Sequence, residues 1–116
     1  MNIQIYALKK SFDTQKAERF FKERRIPYQL LDLKKHKLGQ RELALFARRL
    51  GALNLVDRQN PKALSHPVAH NDDEKYVLEC LAEHPEFLRT PIVRNGEQVT
   101  IGANEEAWNA WVQKEG

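Results

Sequence analysis

Residues 2–6, Asn-Ile-Gln-Ile-Tyr, alternate polar with β-branched or aromatic side chains, the period of a short strand. After Ala7–Phe12, the pair Asp13-Thr14 offers a helix cap, with Ser11 as the other capping residue in reach. Ala17, Phe20 and Phe21 then recur at i, i+3 and i+4, which predicts an amphipathic helix ending near Arg25, before Ile26-Pro27. Tyr28–Leu33 reads as a second strand, and its apolar density predicts burial on both faces. Such a β-α-β opening fits two parallel strands joined by a crossover helix.

Lys34–Leu38 is a basic connection, after which Gly39-Gln40 leads into a helix with Leu43, Phe46, Ala47 and Leu50 on one face, closed by Gly51. Residues 52–71 carry Pro61 and Pro67 among Asn, Ser and His and predict an irregular or briefly helical link. Asn71-Asp72-Asp73 caps a further helix whose Tyr76, Val77, Cys80, Leu81 and His84 share a face, and Pro85 marks its end or a kink. Arg89–Val93 and Gln98–Ile101 flank Asn95-Gly96 as a hairpin with an Asn-Gly turn. A last helix follows Asn104, with Ala107, Trp108, Trp111 and Val112 on its apolar side. Periodicity alone supports only a generic α/β domain.

A chain of 116 residues, 41% hydrophobic and 30% charged, is expected to form one domain over 1–116. No apolar run is long enough for a transmembrane helix, and the start of the chain lacks a secretory-signal pattern, so a cytoplasmic location is expected, without membrane partners. One cysteine excludes an intramolecular disulfide, a Cys-x-x-Cys pair and a multi-cysteine zinc site. The net charge of +3 hides an asymmetry: residues 1–50 hold 13 Lys/Arg against 5 Asp/Glu, and the remainder is acidic. Such a basic half attracts anionic surfaces or ligands, although solvated helix faces account for the same pattern. There is no RNP motif, zinc finger or helix-turn-helix signature, and nucleic acid is not the expected partner.

Four segments together bear a resemblance to a known family. They are Ile5-Tyr6-Ala7-Leu8-Lys9-Lys10-Ser11-Phe12-Asp13-Thr14-Gln15-Lys16-Ala17, then Ile26-Pro27-Tyr28 through Asp32-Leu33, then Asp72-Asp73-Glu74 through His84-Pro85, and Leu88-Arg89-Thr90-Pro91-Ile92-Val93 with Asn95-Gly96. In this order they resemble the arsenate reductase (ArsC) and Spx branch of the thioredoxin superfamily. The resemblance implies an α/β thioredoxin-like (glutaredoxin-like) fold: a four-stranded mixed sheet with a helical insertion at about 39–86. It also implies a cis peptide bond before Pro91. For activity it implies thiol-dependent, glutathione-linked arsenate reduction or, through Spx-type relatives, binding to RNA polymerase.

The departures from the family pattern concern the chemistry. By the resemblance, the reactive cysteine falls at Ser11 and the second, Spx-type cysteine at Thr14. A serine hydroxyl is barely ionised at neutral pH and needs an adjacent base to act as nucleophile. Among the family's oxyanion-binding arginines, one matches Arg58, one is replaced by Thr90, and one is lost near Gly102. The expectation is therefore a protein without the catalytic thiol that binds or regulates. The alternatives are a reductase-like enzyme using an external thiol and a glutathione-type docking module. Candidate anion- or thiol-binding residues are Lys9, Lys10, Ser11, Thr14, Arg58, Thr90 and Pro91, with glutathione or a small anion as ligand and no cofactor expected. The plainer reading leaves Ser11 or Asp13 as a helix cap and Pro91 as a strand-start residue.

Cys80 sits on a predicted core face, and Trp108 and Trp111 read as core. His66 and His70 have i, i+4 spacing, but Pro67 between them spoils a helical metal-ligand pair, so no metal is expected.

Overall fold

A computed structural model describes residues 1–115. Strand β1 (Ile3–Ala7) leads into helix α1 (Phe12–Glu23), then β2 (Tyr28–Asp32) and α2 (Gln40–Leu50). The link that follows contains 3-10 turns at Ala52–Leu55 and Pro67–His70 on either side of a single-turn helix α3 (Pro61–Leu64). Helix α4 (Glu74–Glu83), a 3-10 turn at Pro85–Phe87, the hairpin β3 (Ile92–Asn95) and β4 (Gln98–Ile101), and α5 (Glu105–Glu115) complete the order.

The sheet order is β2-β1-β3-β4, with β1 and β2 parallel and both other pairs antiparallel. The alternation read in residues 2–6 sorts this sheet into two cores. Ile3 and Ile5, with Val93, face α1 and α5 and pack with Phe20, Phe21, Trp108 and Trp111. Tyr6 and Ile92 face the other way, onto α2, α4 and the link, among Phe46, Leu55, Val77 and Leu81. Cys80 belongs to this second core.

Ser11 is the cap of α1: its Oγ accepts the Thr14 N–H at 3.1 Å, and Asp13 lies within the first turn. The far end closes with Ile26 N–H donating to the Phe21 carbonyl and Arg25 N–H to the Lys22 carbonyl, the pattern of a Schellman motif. Arg25 takes the left-handed position (φ 57°) that glycine usually fills.

Two expectations are corrected. β2 is not buried on both faces, because it is the sheet's edge strand: Leu30 is 48% exposed, and only Leu33, just beyond the strand, is buried. An apolar run shows that a strand can be covered, not that a neighbour exists to cover it. The hairpin loop is Gly96-Glu97 instead of Asn95-Gly96, since Asn95 pairs with Gln98 as the last ladder residue. Gly96 alone in the loop has positive φ (63°), as at the first central position of a type II′ turn.

Candidate functional site

A cleft of about 1170 Å³ opens where the C-terminal end of β1, the start of α1, the link and the loop before β3 converge. Three local structures hold its walls. The turn Leu8–Ser11 carries the chain from β1 to the cap of α1. A short antiparallel bridge joins Val56 to Leu88, flanked by Asp57 N–H to the Phe87 carbonyl (2.8 Å) and Arg89 N–H to the Leu55 carbonyl (2.7 Å). This bridge fixes Arg58 and Arg89 beside the loop that contains Thr90. The Thr90–Pro91 bond is cis, as the resemblance implies, and the Pro91 carbonyl accepts the Gly102 N–H at 2.8 Å.

Of the sequence-predicted residues, Lys9, Ser11, Arg58 and Thr90 line this cleft together. Lys10, Thr14 and Pro91 do not. Lys10 is exposed outside it, while Thr14 and Pro91 are buried. Thr14 acts through Ser11, their hydroxyl oxygens being 2.9 Å apart. Gly102, near the lost arginine position, also lines the cleft, with φ of 72° and Asp13 Oδ2 3.8 Å from where a β-carbon would stand. Sequence reading missed Lys34 and Arg89, which line the same cleft. The available signal for Lys34 was the parallel pairing of β1 with β2, which brings Leu33 against Ala7 (N–H to carbonyl, 2.8 Å) and so carries the residue after it to the Lys9 end.

Ser11 Oγ touches only Thr14 among the described residues, accepting its N–H and sharing a hydroxyl hydrogen bond. Among the described residues no imidazole or carboxylate is within hydrogen-bond reach to take its proton, so the geometry offers an oriented hydroxyl and not an activated nucleophile. The N–H groups of Phe12 and Asp13 have no acceptor among the described residues and mark the positive end of the α1 dipole. Arg58 Nη1 donates to the Ala69 carbonyl at 2.7 Å, which ties the guanidinium to the link that carries it. The main-chain N–H and C=O of Thr90 likewise have no partner among the described residues. Chemically, the cleft can attract and orient an anion.

Cys80 is 8% exposed on α4 and does not line the cleft. Hydrogen bonding to its sulfur, with some burial, raises the Tyr76 hydroxyl above the ordinary tyrosine range. His66 Nδ1 accepts the Val68 N–H at 3.1 Å and His70 Nε2 donates to the Leu64 carbonyl at 2.7 Å. Among the described residues no three His, Cys, Asp or Glu side chains come close enough to hold a metal ion.

Sheet order, flanking helices, cis bond and cleft together define an α/β protein of thioredoxin-like architecture with a helical insertion. Residues 58–111 match the model of the ArsC family. An uncharacterized protein of Haemophilus influenzae is 26% identical over 110 residues, which span 93% of this chain and 96% of that one. An arsenate reductase (ArsC) related protein from Brucella melitensis superposes with a TM-score of 0.71 at 22% identity, covering 97% of this chain and 95% of that one. The arsenate reductase from Vibrio cholerae gives 0.76 at 19% identity, with 92% and 94% covered. Residues 58–111 thus resemble the ArsC family in sequence, and almost the whole chain shares the fold of these solved structures.

Proposed function

We propose that this chain is an ArsC-related protein that has lost the thiol chemistry and acts by binding, its cleft receiving a small anion or a thiol ligand such as glutathione without turnover. The observation that carries the reading is Ser11, at the position that resembles the family's reactive cysteine, with its hydroxyl engaged as the cap of α1 and no base beside it among the described residues. Cys80, the chain's one thiol, is buried in a core instead of facing the cleft. Lys9, Arg58 and the free N–H groups at the start of α1 supply the attraction for an anion.

The test is calorimetry with glutathione, phosphate and arsenate, run beside a thiol-coupled arsenate reductase assay on the natural chain and on Ser11→Cys. Heat of binding with no turnover by the natural chain is the expected result. Turnover by the natural chain would favour an enzyme that borrows an external thiol. No heat at millimolar ligand would end the docking reading.

A further inference from the structure

We infer that the occupant of this cleft in a complex is an acidic, extended segment of a partner protein, held along a row of lysines at one end of the sheet. The inference rests on the binding reading above and names the partner class for the same cleft. Its basis is topological. β1 and β2 run parallel with Ala7 opposite Asp32, so both strands end at the same end of the sheet and are followed there by Lys9-Lys10 and Lys34-Lys35, of which Lys9 and Lys34 line the cleft together. None of these four ammonium groups has a carboxylate within 4.0 Å among the described residues.

The carboxylate nearest in sequence is occupied elsewhere. Asp32 Oδ1 accepts the Lys34 N–H at 2.9 Å, and the Asp32 carbonyl accepts the N–H groups of Lys35 and His36 at 2.9 and 2.7 Å. Asp32 thus folds the lysine run into a turn, and among the described residues its ammonium groups have no ion-pair partner. Lys9 and Lys34 extend this charge into the cleft, where Arg58 and Arg89 add more. A small anion meets one or two such groups, whereas a chain bearing several carboxylates matches a row of them.

The cleft's other residues favour peptide over nucleic acid. Asp13, Asp57 and Glu86 line it as well; they accept hydrogen bonds from the main-chain N–H groups of a peptide, donors that a sugar-phosphate backbone lacks. Phe12, 73% exposed at the same opening, is the one aromatic side chain lining the cleft among the described residues. One ring suits an apolar anchor residue better than a succession of stacked bases.

The probe is a fluorescein-labelled peptide of about eight residues, alternating Glu and Leu around one Phe, which extends to roughly 26 Å. That length is comparable to the molecule's shorter dimensions of 25 and 24 Å. Anisotropy is expected to show saturable binding that weakens about tenfold or more when Glu is replaced by Gln, or when the protein carries Lys9→Glu with Lys34→Glu. The control pair Lys75→Glu with Lys114→Glu lies on α4 and α5, away from the cleft, and is expected to leave binding unchanged. Circular dichroism checks that each variant is folded. Equal binding of the Gln peptide, tighter binding of an oligonucleotide of the same length, or indifference to the Lys9/Lys34 reversal would overturn the inference. If the peptide fails while glutathione or phosphate still gives heat, only this inference falls; if all fail, the binding reading falls with it.

Discussion

The hydroxyl of Tyr6, on the central strand β1, donates a 2.7 Å hydrogen bond to Glu42 Oε2 on α2, across 36 residues of sequence. Glu42 also accepts the Gly39 N–H through Oε1 at 3.0 Å and lies 3.4 Å from His36 Nε2. One carboxylate thus closes the N-terminus of α2 and pins that helix to the sheet. Tyr6→Phe keeps the ring packed on Phe46 but leaves Glu42 without its buried donor. The expected cost is about 2 kcal/mol of unfolding free energy, read from urea denaturation at neutral pH.

The same tyrosine shapes the alkaline limb of stability. Burial, then the Glu42 contact, pushes its hydroxyl up to about 12 from an unfolded value of 10.0. Because the folded value is the higher, the stabilisation is complete below pH 10 and is lost as pH rises towards 12, where the unfolded chain releases the proton first. The natural chain is expected to lose roughly 2 kcal/mol more than Tyr6→Phe across that window. Tyr28, also raised by burial and by its bond to Glu18, contributes equally to both proteins and cancels in the difference.

Acid works on the other partner. Burial alone would raise the Glu42 carboxyl, but the Gly39 N–H, the Tyr6 hydroxyl and His36 together hold it below the usual 4.5. A lowered folded value means stability that is present above pH 4.5 and is lost as pH falls through the folded value. Glu42→Gln is expected to be less stable at neutral pH yet to lose less on acidification, so its stability–pH curve is flatter below pH 5. A curve parallel to that of the natural chain would show that Glu42 does not carry this limb.

The helices were legible because each has a one-sided apolar face and local end signals: Phe20 and Phe21 on α1, Leu43 and Phe46 on α2, Val77 and Leu81 on α4. The edge position of β2 was not, since Leu30 and Leu31 look the same whether or not another strand or helix lies beyond them. In the site, Lys9, Ser11, Arg58 and Thr90 were found through motif order. Lys34 and Arg89 were missed because their places depend on strand pairing and on the Val56–Leu88 bridge. The Tyr6–Glu42 bond left no local sign either: Tyr6 reads simply as one apolar step in an alternating strand.

Ser11 as a cap and Cys80 as a core residue lead to a paired expectation about thiols. In the natural chain Cys80, 8% exposed, should react slowly with an aromatic disulfide reagent until the protein is unfolded. Ser11→Cys places a sulfur at the N-terminus of α1, near Lys9, where the dipole and the cation favour the thiolate. That variant should show one fast-reacting thiol, titrating below the free-cysteine value of about 8.5 by ultraviolet absorbance. A new thiol that titrates at or above that value would mean that the turn no longer provides an anion-stabilising environment.

Trp108 donates its indole N–H to Thr100 Oγ1 at 3.0 Å, both residues being buried between β4 and α5. The bond ties the C-terminal helix to the edge of the sheet, where Trp108 also packs on Phe20 and Phe21. Thr100→Val preserves the side chain's shape but leaves the indole N–H unpaired in an apolar core, at an expected cost of about 1–3 kcal/mol. Thr100→Ser keeps the acceptor and loses only a methyl, so its cost should be about 1 kcal/mol. The decisive comparison adds Trp108→Phe to each background. With the donor already gone, Thr100→Val should cost less than it does beside tryptophan, and a double-mutant cycle from urea unfolding measures the difference. A coupling energy of zero would mean that the hydrogen bond contributes nothing and that α5 is held by ring packing alone.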